Sequence, residues 1–470
     1  MTSDLAAKKG LTSSLAAFLL GVYGCIVALA PGAPTKLMLA VPLLLAPIVW
    51  WTVCEPNRWL LAFIACAWIL PPLPFDLGSS GPHVALVFAA IGAFVALLTF
   101  HQWRIKVDPL SIALLTFAGA LLVSCVQSFI YSGLEVAAGS LIRALLFCIA
   151  VYAFFFVRDG LFRYDNAAVT TLLRVIFWAA IASMTLACLD FFFQFPAAPG
   201  HSLQFIWLDS GVYRRAQGVF YESSTLGNLS VFVLVMIVLA WLEPRMNIAP
   251  QWALLAGSIP VVVALLMSYS RGSLGSLGIA LICLTAIKGR WSQWKRALGV
   301  AAAVLAVSLV AAFSISPALA SVVWLRMAAS LEYFWSSPNA VLSGRLNNWI
   351  TLVNYMSDES WKLVLGIGYK TLPISGISDS PLIADNTYLS VLIETGVLGL
   401  AALIALNFTI IRRAYRAARS SNLSQSFLGT WMFCFWLGES VQMLSGDLLT
   451  YWRILPAFFC VMALADRGAP

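Results

Sequence analysis

The sequence predicts an all-α polytopic membrane protein with about 12 to 14 transmembrane helices and one long, partly helical outer loop. Three observations carry this expectation. Of 470 residues, 61% are hydrophobic and only 10% are charged, where a soluble domain carries about 25% charged residues. Mean hydropathy is +0.90, and apolar runs of about 17 to 25 residues recur between short polar breaks, the length a helix needs to cross a bilayer. The basic residues fall in alternate short loops, as the positive-inside rule expects.

The candidate spans are 13–30, 36–53, 58–71, 83–100, 109–131, 138–157, 167–194, 224–242, 251–269, 272–288, 297–314, 386–411, 427–444 and 450–465. Lys8 and Lys9 before the first run resemble a signal peptide. No A-x-A-like site follows, so the run is expected to stay as the first helix. Pro71-Pro72 ends the short third span. Arg104 and Lys106, then Arg158 and Arg163, then Lys288, Arg290, Lys295 and Arg296, then Arg412, Arg413, Arg416 and Arg419 mark the cytoplasmic side. The intervening loops 71–82, 131–137 and 442–449 hold no Lys or Arg. Both termini then face the cytoplasm.

The net charge of +8 is therefore a topology signal, and the bilayer rather than nucleic acid is the expected partner. Nine cysteines lie in or beside apolar stretches without a C-x-x-C. They read as packing residues, with no disulfide framework.

Two outer segments break the pattern, 195–223 and 315–385. The second, at about 70 residues, far exceeds the usual 12 to 15 of a structureless connection. It divides the chain into 1–314, 315–385 and 386–470. Leu346, Trp349, Ile350 and Val353 recur at helical spacing after Ser343-Gly344 and predict an amphipathic helix. Trp324, Leu325, Ala328 and Leu331 suggest another over 321–335.

The outer side also holds Arg214, Arg215, Arg271, Arg326, Arg345, Lys362 and Lys370. Arg271 sits in a tight turn, Ser268-Tyr269-Ser270-Arg271-Gly272, between two apolar runs. An arginine near membrane depth costs a few kcal/mol unless paired or solvated. It either snorkels to lipid headgroups or walls an anionic ligand. Arg215, Arg271 and Arg345 facing one side suit a diphosphate, since guanidinium binds phosphate oxygens bidentately. No acidic cluster stands on that side to hold a divalent metal, and no cofactor is expected. Asp385 is the candidate base for an acceptor hydroxyl, although its place at a helix start equally suits an N-cap. Glu394, two turns on, is either a buried functional acid or a partner for an outer arginine. The lone Gly366-Ile367-Gly368-Tyr369 reads as a turn.

In order along the chain, Arg215-Ala216-Gln217-Gly218-Val219-Phe220, Ser270-Arg271-Gly272, Gly344-Arg345…Trp349, Gly366-Ile367-Gly368-Tyr369 and Asp385-Asn386-Thr387-Tyr388-Leu389…Glu394-Thr395-Gly396 resemble the motifs of the O-antigen ligase and O-antigen polymerase superfamily. The resemblance covers about 210 to 400. It implies a GT-C-like, metal-free, inverting glycosyltransferase of the bacterial inner membrane, with a periplasmic site and an undecaprenyl-diphosphate-linked glycan as donor. Arg215 and Arg271 would contact the diphosphate, with Arg345 supporting the pocket. Arg214, Tyr369, Asn386, Tyr388 and Glu394 join the substrate-binding candidates.

Ligases that join O-antigen to lipid A-core look to have His-Asn where this chain has Asp385-Asn386. The expectation is therefore a polymerase of lipid-linked repeat units, with a chain-length regulator as a candidate partner and the ligase as the alternative. A transporter or flippase would show paired half-molecules with matching broken helices, and no such symmetry is found.

Overall fold

The computed structural model describes residues 46–73, 82–160, 165–196, 202–208, 211–288, 344–358, 360–374 and 383–467, with a few isolated positions besides. The expected spans 13–30 and 297–314, the retained first helix, the loop helix over 321–335, and Arg326 lie outside these residues. The chain divides into two compact units. Residues 1–59 form the first, in which 46–54 are helical. Residues 60–470 form the second, which carries the site.

The helices are α1 (Asn57–Ile69), α2 (Ala85–Leu98), α3 (Pro109–Arg158), α4 (Asn166–Phe193), α5 (Ser223–Leu242), α6 (Gln251–Met267), α7 (Arg271–Lys288), α8 (Arg345–Asp358), α9 (Ser360–Leu365), α10 (Thr387–Ala418), α11 (Leu423–Gln442) and α12 (Leu455–Arg467). A two-stranded antiparallel hairpin, β1 (Phe205–Leu208) with β2 (Gly211–Arg214), interrupts them. Five of the described helices, α3, α4, α5, α7 and α10, are long and apolar enough to cross a membrane. Large apolar side chains stand outward along them, among them Val123, Ile142, Trp178, Ile282 and Phe408. A soluble protein rarely exposes such a surface. This is a multi-pass membrane protein.

Two glycines reverse the chain. In α3, Gly133 has φ 83° and ψ 177°. The Ser128 and Ser140 hydroxyls, 12 residues apart, meet at 3.1 Å, whereas a straight helix would hold them about 18 Å apart. Thus α3 is two antiparallel arms, the separate spans 109–131 and 138–157 expected from sequence.

Gly396 does the same to α10 with φ 73° and ψ −175°. The Asn407 amide donates to the Tyr388 hydroxyl at 3.3 Å across 19 residues. The single crossing expected over 386–411 is therefore corrected: a two-turn arm from Thr387 turns back at Gly396 before the long arm begins. The break frees carbonyls at Ile393 and Glu394. The Ile367 and Gly368 amides donate to them at 2.9 and 3.0 Å, and the Ser124 hydroxyl adds a bond to Glu394 at 2.6 Å. Both of these carbonyls are thereby satisfied, as burial at membrane depth requires.

Packing is tight enough to exclude a single methyl. A Cβ on Gly396 would stand 2.0 Å from the Val364 carbonyl oxygen, and one on Gly366 would meet the Glu394 carbonyl carbon at 2.4 Å. Phe232 of α5, Trp431 and Phe435 of α11 and Phe458 of α12 interlock with ring centroids 4.3 to 4.9 Å apart. At one end of the bundle Arg158 pairs with Asp108 at 3.1 Å, Asp159 at 2.6 Å and Asp466 at 3.3 Å. Arg413 adds bridges to Asp108 and Asp466 at 3.1 and 3.4 Å. This clasp ties α3, α10 and α12 together and gathers basic residues that the loop asymmetry assigned to one side. The expected sequence motifs meet at the other end.

Candidate active site

The site is assembled from segments far apart in sequence. The β1–β2 hairpin pairs Phe205 with Arg214 and delivers the strip 215–220. The Arg215 amide donates to the Gln204 carbonyl at 2.8 Å, and the Ala216 amide to the Met267 carbonyl at 2.9 Å. Gln217 then staples the strip, accepting from the Gln204 amide at 2.9 Å and donating to the Tyr221 carbonyl at 2.7 Å. Arg215 Nε donates to the Ser268 carbonyl at 2.8 Å. The strip is thereby fixed to the turn 268–270 that launches Arg271 at the start of α7. Tyr269 bends that turn with φ 50°.

Arg345 opens α8 behind Gly344 and bridges two further segments. Its Nε donates to Asp385 Oδ2 at 3.1 Å, and its Nη1 to the Ser445 carbonyl at 2.8 Å. Ser445 also abuts Gly272, where an added Cβ would meet its hydroxyl at 2.7 Å. The loop 443–450 thus joins α7, α8 and α10. Thr387 anchors it, its hydroxyl donating to the Gly446 carbonyl at 2.7 Å and accepting from the Leu448 amide at 3.1 Å.

Arg345 lies within electrostatic reach of both Arg215 and Arg271, and Arg215 is also within reach of Asp385 and Glu222. Burial pushes the Arg215 guanidinium down to about 10, and Arg345 pushes the same way. Burial likewise raises Glu222 above the usual carboxylate range, with Asp447 and Asp385 adding to it against the hydrogen bond from Ser224 and the charge of Lys370. Two like-charged guanidinium groups drawn together while half-buried are costly unless an anion joins them.

Asp385 is corrected as a helix cap. The capping residue is Asn386, whose side chain accepts from the Leu389 amide at 3.1 Å. Asp385 stands one residue outside with φ 45°, its side chain 46% exposed and tied to Arg345. One carboxylate oxygen stays clear of that ion pair.

The five expected substrate-binding residues besides Arg345 make contacts within the protein. Arg214 is committed to Asp190, Nη2 reaching both carboxylate oxygens at 2.8 and 3.0 Å. Tyr369 is fully buried, Glu394 is 2% exposed, and Asn386 is the cap. Tyr388 donates to the Ser440 carbonyl at 2.8 Å. These residues hold the loops in place. The backbone amides of Lys370 and Leu372 reach the Glu394 carboxylate, and the Lys370 ammonium pairs with Asp447. Gly366-Ile367-Gly368-Tyr369 is the clamp over the α10 reversal.

Sequence reading did not single out Asp447 or Arg453. Asp447 was hidden in a loop noted only for lacking Lys and Arg. Arg453 follows that loop and was legible only as another basic residue on the sparse side. Among the described residues no group of three or more His, Cys, Asp or Glu is placed to hold a metal ion.

With this geometry in view, residues 253–404 match the family model described as O-antigen ligase. That stretch is similar to the O-antigen ligase family. No curated protein matches the chain. The matched O-antigen ligase segment contains Arg271, Arg345, Asp385 and Glu394, and the hairpin strip with Arg215 and the loop with Asp447 close on it from either side.

Proposed function

We propose that the chain polymerises lipid-linked polysaccharide repeat units at the periplasmic face of the inner membrane. The growing glycan on undecaprenyl diphosphate is the donor, and a sugar hydroxyl of a new lipid-linked unit is the acceptor. The observation that supports this reading is the convergence of Arg215 and Arg271, from two separate segments, on the Arg345–Asp385 ion pair.

The acceptor oxygen forms a bond to the donor's anomeric carbon as the carbon–oxygen bond to diphosphate breaks. The electron pair leaves on undecaprenyl diphosphate, where the guanidinium groups stabilise it. The hydroxyl proton passes to the oxygen of Asp385 that Arg345 does not hold, and Arg345 fixes the carboxylate's direction. A single displacement of this kind inverts the anomeric centre.

The test is purified protein in lipid with a lipid-linked repeat unit, no nucleotide sugar and no added metal. Elongated polymer on the lipid supports the reading. Transfer to a lipid A-core acceptor without elongation would make the protein a ligase, and neither product would overturn the transferase reading.

A further inference from the structure

Beside the arginine cluster lies a second feature that this mechanism does not use. A cavity of about 30 Å³ is lined by Tyr221, Glu222, Thr450, Trp452 and Arg453, among others. Thr450 is exposed, and Tyr221, Glu222 and Trp452 are half-buried. Arg453 is 3% exposed.

The surroundings of Arg453 are unusual for a buried cation. Its Nη1 donates to the Val219 carbonyl at 2.5 Å. Its guanidinium lies 5.0 Å from the Tyr221 ring centroid and 5.7 Å from that of Trp452. The Tyr221 side chain hydrogen-bonds the guanidinium, and among the described residues no carboxylate forms a salt bridge with it. Burial draws its pKa down to about 10, against the favourable effect of the Tyr221 hydroxyl. A buried charge is normally paired and its donors satisfied. The chain instead leaves this guanidinium without a carboxylate, in the wall of a cavity.

We propose that this cavity is an acceptor subsite that takes the carboxylate of an acidic sugar, with Arg453 as its counter-cation. This rests on the reading of the chain as a transferase of lipid-linked glycans. Size supports it: a water needs about 10–15 Å³ measured this way, so the cavity holds a carboxylate and excludes a sugar ring. The ring stays at the rim against Trp452 and Tyr221. Glu222, whose pKa burial raises, also lines the cavity. Glu222 is within electrostatic reach of Asp385, so a sugar seated at the rim lies beside the base.

The test titrates the full chain in lipid nanodiscs with sodium glucuronate or glucose at constant ionic strength, read by thermal unfolding. Glucuronate should raise the unfolding temperature saturably and glucose should not. Arg453→Met should weaken the apparent affinity roughly tenfold or more, the scale of one charge-assisted pair. Thr450→Trp fills the mouth from its exposed rim and should do the same, so it decides the matter if Arg453→Met does not fold. Equal shifts with glucose and glucuronate, or an unchanged glucuronate shift in Thr450→Trp, overturn the proposal. Polymer synthesis is measured on the same sample. Polymer without glucuronate binding overturns the subsite alone, while binding without any transfer overturns the transferase reading and the acceptor role with it.

Discussion

Arg345 reaches Asp385 across 40 residues of sequence, Nε to Oδ2 at 3.1 Å, and so joins the amphipathic loop helix to the start of α10. The neighbouring Asn386, not Asp385, caps that helix. These two facts separate catalysis from stability at adjacent positions.

Asp385→Asn should therefore slow transfer by about 10²- to 10⁴-fold, the scale of a lost general base. Its ion pair is exposed enough to be worth at most about 1 kcal/mol, so the unfolding temperature should change little. Asn386→Ala should do the reverse, losing roughly 1 kcal/mol of stability with the cap. Near wild-type turnover in Asp385→Asn would remove it as base and turn attention to Glu222.

Arg271→Ala and Arg215→Ala should each abolish polymer formation at normal protein levels. Lysine at either position should restore only part, because a point charge lacks the bidentate fork. Polymer length on lipid-linked substrate is the measurement. Full activity of Arg271→Ala would leave headgroup snorkelling as the better account of that residue.

Gly396→Ala should fail to accumulate as folded protein. Its φ of 73° and the Val364 carbonyl oxygen 2.0 Å from an added Cβ leave no room for a methyl. Gly139→Ala, where an added Cβ meets nothing within 4 Å, serves as the control. Size-exclusion profiles of the two proteins would show the contrast.

The clasp predicts an acid limit to stability. Burial pushes the Asp108 carboxyl up, but hydrogen bonds from Ser111 and the charge of Arg158 outweigh it and hold its pKa below the usual value of 3.8. A depressed pKa in the folded state stabilises above the unfolded value and loses that stability as pH falls through the folded one. Thermal unfolding should therefore fall off below about pH 4. Asp108→Asn should flatten that decline, and an unchanged profile would leave other carboxylates as its source.

Orientation is tested by cysteine labelling in a background freed of its nine native cysteines. A reagent confined to the outside should reach a cysteine at Asn347 and miss one at Ile105 or Arg416, all exposed positions. The opposite pattern would place donor and acceptor chemistry in the wrong compartment.

The sequence by itself determined the membrane class, because apolar runs and charge depletion are properties of composition and spacing. It also marked Arg215, Arg271, Arg345 and Asp385, because an arginine or carboxylate beside an apolar run is costly and stands out. The two arms of α3 were legible from the polar break at 131–137. Only the tertiary structure decided what each polar residue faces. Arg214 and Arg215 are adjacent, yet strand geometry turns one to Asp190 and the other to Ser268. Asp385 and Asn386 are equally good caps in isolation, and the left-handed backbone at Asp385 gives the role to Asn386. The reversal at Gly396 could not be read from an unbroken apolar pattern, since it depends on amides at Ile367 and Gly368 arriving to satisfy the freed carbonyls. Contacts across 30 or 300 residues are fixed by packing, and spacing along the chain carries no record of them.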